Sequence, residues 1–467
     1  MLCGTNDYSE IESRLEMPAD RLRAGGISMV VPTYNRAQKL ANMLAATIHV
    51  RHEVEELEIV VADDGSTDDT ASIVRTFEAE LDITHVRRPD RGHRLAEICN
   101  VGLRTAKHPR IILLQSDMMP AAGLITAYNR WLSATENVLL IGMRRFTCTD
   151  TLSADQIERD PDFEKTLPSI QTQNEMWRSV SQGHDEDWRM EIYRRTNWLR
   201  NERWPYRAVV GSNLAFHKSI AQQIGGFSEA FQAWGGEDGE FGYRAYNAGL
   251  YLVPVPEAIA YHQEPPSGIN ETDRIAGFEV TRAIREQLCA LPPFRKKPSK
   301  AGPPFRNPKI AICARAQSCT ESAGILNSIA SSVTDAEIVQ LQEPRPQAEG
   351  PTPSTHAEHG ETQAKTNDVA HTIEAVLSTS SAPYLVLRAD GGVPALTLIT
   401  TLAAELDQAD EAAILATEHD QQILMVRARD CRRLMRKGLR LDDSSFGALL
   451  IDLAQHLSVR RNAEPPA

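Results

Sequence analysis

Apolar runs of strand length recur through the first quarter of the chain, and they end on side chains that carry oxygen. ISMVVPTYN begins at Ile27 and is stopped by Pro32. LEIVVADDGSTDDT is apolar from Leu57 to Ala62 and turns acidic at Asp63 and Asp64. ITHVRRPD is a third, shorter run, and PRIILLQSDMMP ends at Asp117. The segments between have helical spacing: RAQKLANMLAATIHV puts Leu40, Met43 and Leu44 on one stripe, and GHRLAEICNVGLRTA follows the third run. Ser66 or Thr67 is expected to cap the helix after DDG, with Asp68 and Asp69 in its first turn. Buried strands alternating with helices predict an α/β fold with a parallel sheet covered on both faces. Ligands in such sheets bind at the carboxyl ends of the strands. Thr33, Asp63, Asp64 and Asp117 all fall at such ends, so separate segments deliver oxygen atoms to one rim. No GxGxxG follows the first run, which excludes a dinucleotide-type phosphate loop.

A second concentration of chemistry runs from Gly225 to Glu264, GGFSEAFQAWGGEDGEFGYRAYNAGLYLVPVPEAIAYHQE. Glycine lets a backbone approach a ligand closely, and Gly235 and Gly236 stand directly before the acids Glu237 and Asp238. Trp234 offers a flat apolar wall suited to a sugar ring. Glu237 and Asp238 also suit the N-terminus of the helix EFGYRAYNAG, and the two roles are compatible. His262 follows, flanked by Gln263 and Glu264. A calcium loop at DDGSTDD fails on register, because position twelve counted from Asp64 is Arg75 rather than glutamate.

The net charge of −13 argues against a general nucleic-acid or anionic-membrane binder, whose footprint is basic. The seven cysteines are scattered and form no CxxC pair, which excludes a zinc site or disulfide framework of that type. A reducing, cytoplasmic setting is the expectation. The N-terminus turns polar after three residues, and no apolar run approaches the ~18 residues of a membrane span.

The 467 residues divide by composition. Residues 1–26 read as a polar extension and 27–290 as the catalytic domain. Within that domain, residues 150–205 form a polar insertion bearing Trp177, Trp188, Trp198 and Trp204, either a substrate-facing lid or surface helices packed by tryptophan. Residues 291–308, rich in Pro, Lys and Gly, form a linker. Residues 309–460 repeat the strand, turn and helix grammar of the first domain, interrupted by a disordered loop at about 344–366. The repeat lacks DDGS, WGGED and HQE, so it is expected to be a degenerate copy unable to do the same chemistry.

VVPTYNR, VVADDGSTDDT, the SDMMP strand end and WGGEDGEFGYR together resemble family-2 glycosyltransferases of the GT-A fold, over roughly residues 27–285. AWGGEDGEFGYRAYNAG followed by AYHQEPPSGINETDR is similar to the hexosamine-transferring domains of bacterial chondroitin and hyaluronan synthases, and to the WGGED block of galactosyltransferases. The resemblance implies an inverting, metal-dependent transferase taking a sugar from a UDP-sugar, an N-acetylhexosamine first and galactose second. The acceptor would be a saccharide, lipid-linked or other hydroxyl. It assigns Asp117 and His262 to the metal, Mn²⁺ before Mg²⁺ because carboxylate with imidazole suits Mn²⁺ better. It places Pro32, Thr33, Arg36, Asp63, Asp64, Gln115, Ser116 and Asp117 around the donor. Arg91 and Arg94 would reach the diphosphate, or stand as solvated surface arginines. Trp234, Gly235, Gly236 and Glu237 would face the acceptor, and Asp238 would be the general base. The usual Asp-x-Asp strand end is here Gln115-Ser116-Asp117, which keeps the metal ligand and replaces the first acid by an amide. That departure keeps open a second reading, a catalytically weak sugar- or nucleotide-binding subunit.

Overall fold

The computed structural model describes residues 6–16, 24–150, 152–167, 187–264, 271–291, 294, 310–315, 336–341, 376, 380, 382–388, 413–418 and 421–436. Trp177, most of the linker and the 344–366 loop lie outside the described residues. The described residues form two units, one comprising 6–246 with 250–285, the other built largely from residues beyond 285.

The first unit is built on an eight-stranded sheet: β1 (Gly26–Thr33), β2 (Glu56–Asp63), β3 (Asp82–Arg87), β4 (Arg110–Leu114), β5 (Met118–Pro120), β6 (Val138–Phe146), β7 (Asn213–His217) and β8 (Tyr251–His262). Their order across the sheet is β3-β2-β1-β4-β7-β6-β8-β5. The first four strands run parallel. The expectation of an all-parallel sheet needs correction, because β7 pairs antiparallel with both β4 and β6, and β5 pairs antiparallel with β8. Two successive reversals leave β6 and β8 in the same sense as β4, so the end of β8 reaches the same rim as the ends of β1 and β2.

The strands form where burial is continuous. Met29, Val30 and Val31 are each fully buried, as are Ile59, Val60 and Val61 beside them. Full burial of such a side chain is worth ~1.5–3 kcal/mol. The helix Ala37–Val50 turns Leu40, Met43 and Leu44 onto one face of this sheet, as its spacing predicted. Leu95–Thr105 covers the other face, where Gly102 lets the helix approach so closely that a Cβ would stand 2.4 Å from Val30.

Three local expectations change. The run RIILLQSDMMP is not one strand: β4 stops at Leu114, and Gln115–Met118 is a turn closed by the Met118 N–H on the Gln115 carbonyl at 2.9 Å. The helix Thr70–Phe77 starts after Asp69, with neither Ser66 nor Thr67 capping it. Asp68 instead accepts from Thr70 and, through its other oxygen, from the Ala37 N–H at 2.9 Å, tying two helix starts together. The polar N-terminal extension joins the core: Asn6 is fully buried and pairs with both backbone groups of Leu252, and Tyr8 is 2% exposed. Polar composition hid this, because an amide can satisfy buried backbone where an apolar side chain cannot.

In the second unit the described strands are β9 (Ile310–Arg315), β10 (Ala336–Leu341), β11 (Tyr384–Arg388), β12 (Ala413–Glu418) and β13 (Gln421–Arg427), ordered β10-β9-β11-β13-β12. The three at the β10 side are parallel, and β13 runs antiparallel to both its neighbours. This matches β2-β1-β4-β7-β6 of the first sheet in order, sense and chain sequence. No helix of the described residues is long and apolar enough to cross a membrane.

Candidate active site

The rim is held together by backbone bonds between strand ends. The Asp64 N–H donates to the Thr33 carbonyl at 2.9 Å, Ser116 to Pro32 at 3.3 Å, and Gln263 to Asp117 at 2.9 Å. The pairing of β5 with β8 sets Met118 opposite His262, which brings Asp117 beside that histidine across 145 residues of chain.

His262 Nε2 lies 3.8 Å from Asp117 Oδ2. The other ring nitrogen, Nδ1, is 2.9 Å from the Glu264 carbonyl. A carbonyl only accepts, so Nδ1 carries the proton, and a neutral ring then presents a bare Nε2 to the carboxylate. Asp117 is 6% exposed and its Oδ1 is buried without a hydrogen-bond partner. Glu264 completes the cluster: ligand atoms of Asp117, His262 and Glu264 lie within 4.8 Å of one another. A bare imidazole nitrogen, an orphaned carboxylate oxygen and a second carboxylate fit a divalent cation of the Mn²⁺ type. Two cations of the protein also stand here. Arg36 reaches Asp117 Oδ2 at 3.3 Å and also pairs with Glu264, and Lys39 pairs with Glu264 as well. Burial would raise the Glu264 pKa, but Arg36 and Lys39 outweigh it and hold it down to about 2.

Gln263 fixes this corner. It is 2% exposed. Its Oε1 accepts from Asn42 Nδ2 and Thr149 Oγ1, each at 3.0 Å, and its Nε2 donates to the Lys39 carbonyl at 3.0 Å. Phe146 packs edge-on to the His262 ring at a centroid distance of 5.3 Å.

The acidic loop after β2 divides its two aspartates. Asp63 is 1% exposed and faces inward: its Oδ1 accepts from the Gly65 and Ser66 N–H groups at 3.1 and 2.8 Å, and His85 Nε2 lies 3.4 Å from Oδ2. Burial opposes its charge, yet His85 and Ser66 keep its pKa below the ordinary value. Asp63 therefore shapes the loop. Asp64 is tied to Arg88, whose guanidinium also meets Glu97. Gly65 is required by its φ of +92° and by the Asp90 backbone, which a Cβ would meet at 2.3 Å. Arg91 is exposed; Arg94 donates to the Arg91 carbonyl and lies 3.8 Å from Glu97. Thr33 is buried with its hydroxyl unpartnered, and Ser116 is buried beside it.

Glu237 and Asp238 open the helix Glu237–Asn247, after two glycines at φ of +89° and +101°. Asp238 Oδ2 accepts from the Gly211 N–H at 3.1 Å. The carbonyl of the next residue, Ser212, accepts from the Gln115 N–H at 3.1 Å, so the dipeptide Gly211-Ser212 links the acid to the Gln-Ser-Asp turn. Burial raises the Asp238 pKa. Glu237, 7% exposed with one carboxylate oxygen unpartnered, is pushed up to about 8 by burial and by the neighbouring Asp238 charge. In its protonated form it can donate a hydrogen bond. Trp234 stands 45% exposed.

Sequence reasoning left out Glu264 and Lys39 as members of the cation corner, and Arg88 as the partner of Asp64. Each stands next to or within a stretch it had singled out, but charge alone does not reveal pairing. A cavity of about 590 Å³, lined among others by Tyr8, Trp131, Trp198 and Arg200, shares no residue with this rim.

The family model for glycosyl transferase family 2 matches residues 28–225, and that for the N-terminal domain of galactosyltransferase matches residues 197–264. Chondroitin synthase of Escherichia coli is 37% identical over 341 residues, which cover 72% of this chain and 49% of that protein. Chondroitin synthase of Pasteurella multocida (strain Pm70) is 34% identical, covering 68% of this chain and 32% of the relative. Hyaluronan synthase of Pasteurella multocida is 32% identical, covering 72% and 34%. The chain thus spans about half the length of the first of these relatives and about a third of the other two. The mixed GT-A sheet that carries this rim is thus a family-2 glycosyltransferase domain over residues 28–225, continued by a galactosyltransferase-like stretch that runs to the end of β8.

Proposed function

We propose that this chain is a metal-dependent, inverting transferase that moves an N-acetylhexosamine from its UDP derivative to a hydroxyl of a growing saccharide. The observation that carries the reading is the corner where the unpartnered Oδ1 of Asp117 and the bare Nε2 of His262 share one buried site. A divalent cation bound there would neutralise the departing diphosphate. Asp64 and Arg88, with the Thr33 hydroxyl, form the nucleoside side of the rim, with Asp63 holding the loop that presents them. Gln115 replaces an acid with an amide that still hydrogen-bonds a hydroxyl.

Asp238 takes the acceptor proton as that oxygen bonds to the anomeric carbon and the bond to UDP breaks on the opposite face. The Gly211 N–H holds the carboxylate in place, and neutral Glu237 beside it donates to an acceptor oxygen. Trp234 provides the apolar wall for the acceptor ring. The relatives' names, chondroitin and hyaluronan synthase, support a hexosamine donor and a saccharide acceptor. Residues 309–460 carry no DDGS or WGGED stretch, so the reading assigns this transfer to the first sheet.

The test is UDP release from UDP-N-acetylhexosamine with Mn²⁺ and a chondroitin-type oligosaccharide, comparing the wild type with Asp238→Asn. A positioned base contributes about 10²–10⁴-fold, and a loss of that size is expected. Equal, negligible rates in both proteins with UDP still bound would instead establish the binding-subunit reading that Gln115 favours.

A further inference from the structure

Arg36 and Lys39 both stand on the first turn of the helix Ala37–Val50 or at its start, and both are paired with Glu264. Their side chains remain 37% and 27% exposed, so neither is sealed in the core. Arg36 also meets Asp117, the carboxylate with an orphaned buried oxygen. The four charged side chains, Asp117, Glu264, Arg36 and Lys39, sum to zero: two carboxylates against two cations. Here the guanidinium and the ammonium occupy the electrostatic role that a divalent ion would take over.

We propose that Glu264 is an exchangeable partner: it ligates the divalent ion together with Asp117 and His262, and in doing so frees Arg36 and Lys39 to clamp the diphosphate of the donor. This rests on the donor reading above and adds Lys39 as a diphosphate ligand and Glu264 as a metal ligand. Charge balance gives the logic. A divalent ion alone takes the corner from zero to plus two. A nucleoside diphosphate alone meets cations already neutralised by Glu264. Ion and diphosphate-sugar together restore a balanced corner, because the two phosphates of such a donor carry one negative charge each. Each ligand therefore favours the other, and the coupling is reciprocal. Arg36 suits a phosphate through its planar fork, and Lys39 through a mobile point charge. The Nδ1 bond of His262 to the Glu264 carbonyl and the Gln263 latch hold the backbone still, so only the Glu264 side chain needs to turn.

The experiment measures three affinities by calorimetry on the full chain: Mn²⁺ alone, UDP alone with EDTA, and UDP with saturating Mn²⁺. In the wild type, Mn²⁺ should tighten UDP binding by ~5–150-fold, the usual span of such coupling. Glu264→Gln removes a ligand and releases both cations, so Mn²⁺ alone should bind more weakly, UDP alone more tightly, and the coupling should shrink toward unity. Lys39→Met should do the opposite for the metal, binding Mn²⁺ alone more tightly, while UDP with Mn²⁺ binds more weakly. A merely structural role would not shift the two variants in opposite directions. Shifts in the same direction, or an unchanged metal-free UDP affinity in Glu264→Gln, overturn the exchange while leaving the donor reading intact. A wild type that binds neither Mn²⁺ nor UDP overturns both.

Discussion

Replacing Gln263 by leucine tests whether the corner is built as described. The side chain is 2% exposed and serves three buried partners: the Asn42 amide, the Thr149 hydroxyl and the Lys39 carbonyl. Leucine is of similar size and apolar, so burial is retained and what is lost is polar pairing. Each buried group left unsatisfied costs ~1–3 kcal/mol. Asn42 keeps the bond that its Oδ1 accepts from Gln38, but its Nδ2, the donor that met Gln263, loses that acceptor. Three partners at the lower half of the range give about 3–6 kcal/mol, a large share of the ~5–15 kcal/mol that holds a domain folded. Urea melts read this as a lowered midpoint at constant slope, a shift of about 1–3 M for a slope of ~2–3 kcal/mol/M. Gln263→Glu is the contrast: it keeps both accepted bonds but sets a carboxylate oxygen against the Lys39 carbonyl unless protonated. Burial raises such a group's pKa above its unfolded value. The variant should therefore hold its stability in acid and lose it as pH rises through the folded pKa. A loss under about 1 kcal/mol in Gln263→Leu would refute the claim that this amide organises the corner.

Three further outcomes follow from the same geometry. Asp117→Asn keeps the shape and removes the charge, so calorimetry should show that EDTA no longer alters UDP affinity; a retained metal effect would reject Asp117 as a ligand. Glu237 has a folded pKa of about 8 against an ordinary 4.5, so its protonated form stabilises the fold below pH 4.5 and that stability drains away up to about pH 8. Glu237→Gln should lack this dependence, gaining on the wild type by about 1.4 kcal/mol per pH unit within that window and levelling off above it; parallel melting curves from pH 5 to 8 would contradict it. Asp187 lies 2.8 Å from Arg144 and 2.6 Å from the buried Arg189, which hold its pKa far below the carboxylate range against the burial that opposes them. Asp187→Asn strands two guanidinium groups and should cost ~3–5 kcal/mol in denaturant melts, a prediction that fails if the midpoint does not move.

The amino-acid sequence by itself determined the strands and helices of the rim. Short apolar runs such as Ile27–Val31 and Ile59–Ala62, rich in β-branched residues and bounded by turn residues, read as buried strands, and the turn chemistry of DDGS and WGGED places acids where those strands and the later helix begin or end. That much is local, because hydrophobic period and turn residues act over a few positions. Partner choice is not local. Whether β7 runs antiparallel between β4 and β6, and whether Asn6 enters the core, depend on backbone groups brought from far along the chain. The cation corner is the clearest case: Arg36 and Glu264 are 228 residues apart and meet only because β5 pairs with β8 beside the helix Ala37–Val50. Charged side chains find counter-charges through three-dimensional proximity, which a linear pattern of charges does not encode.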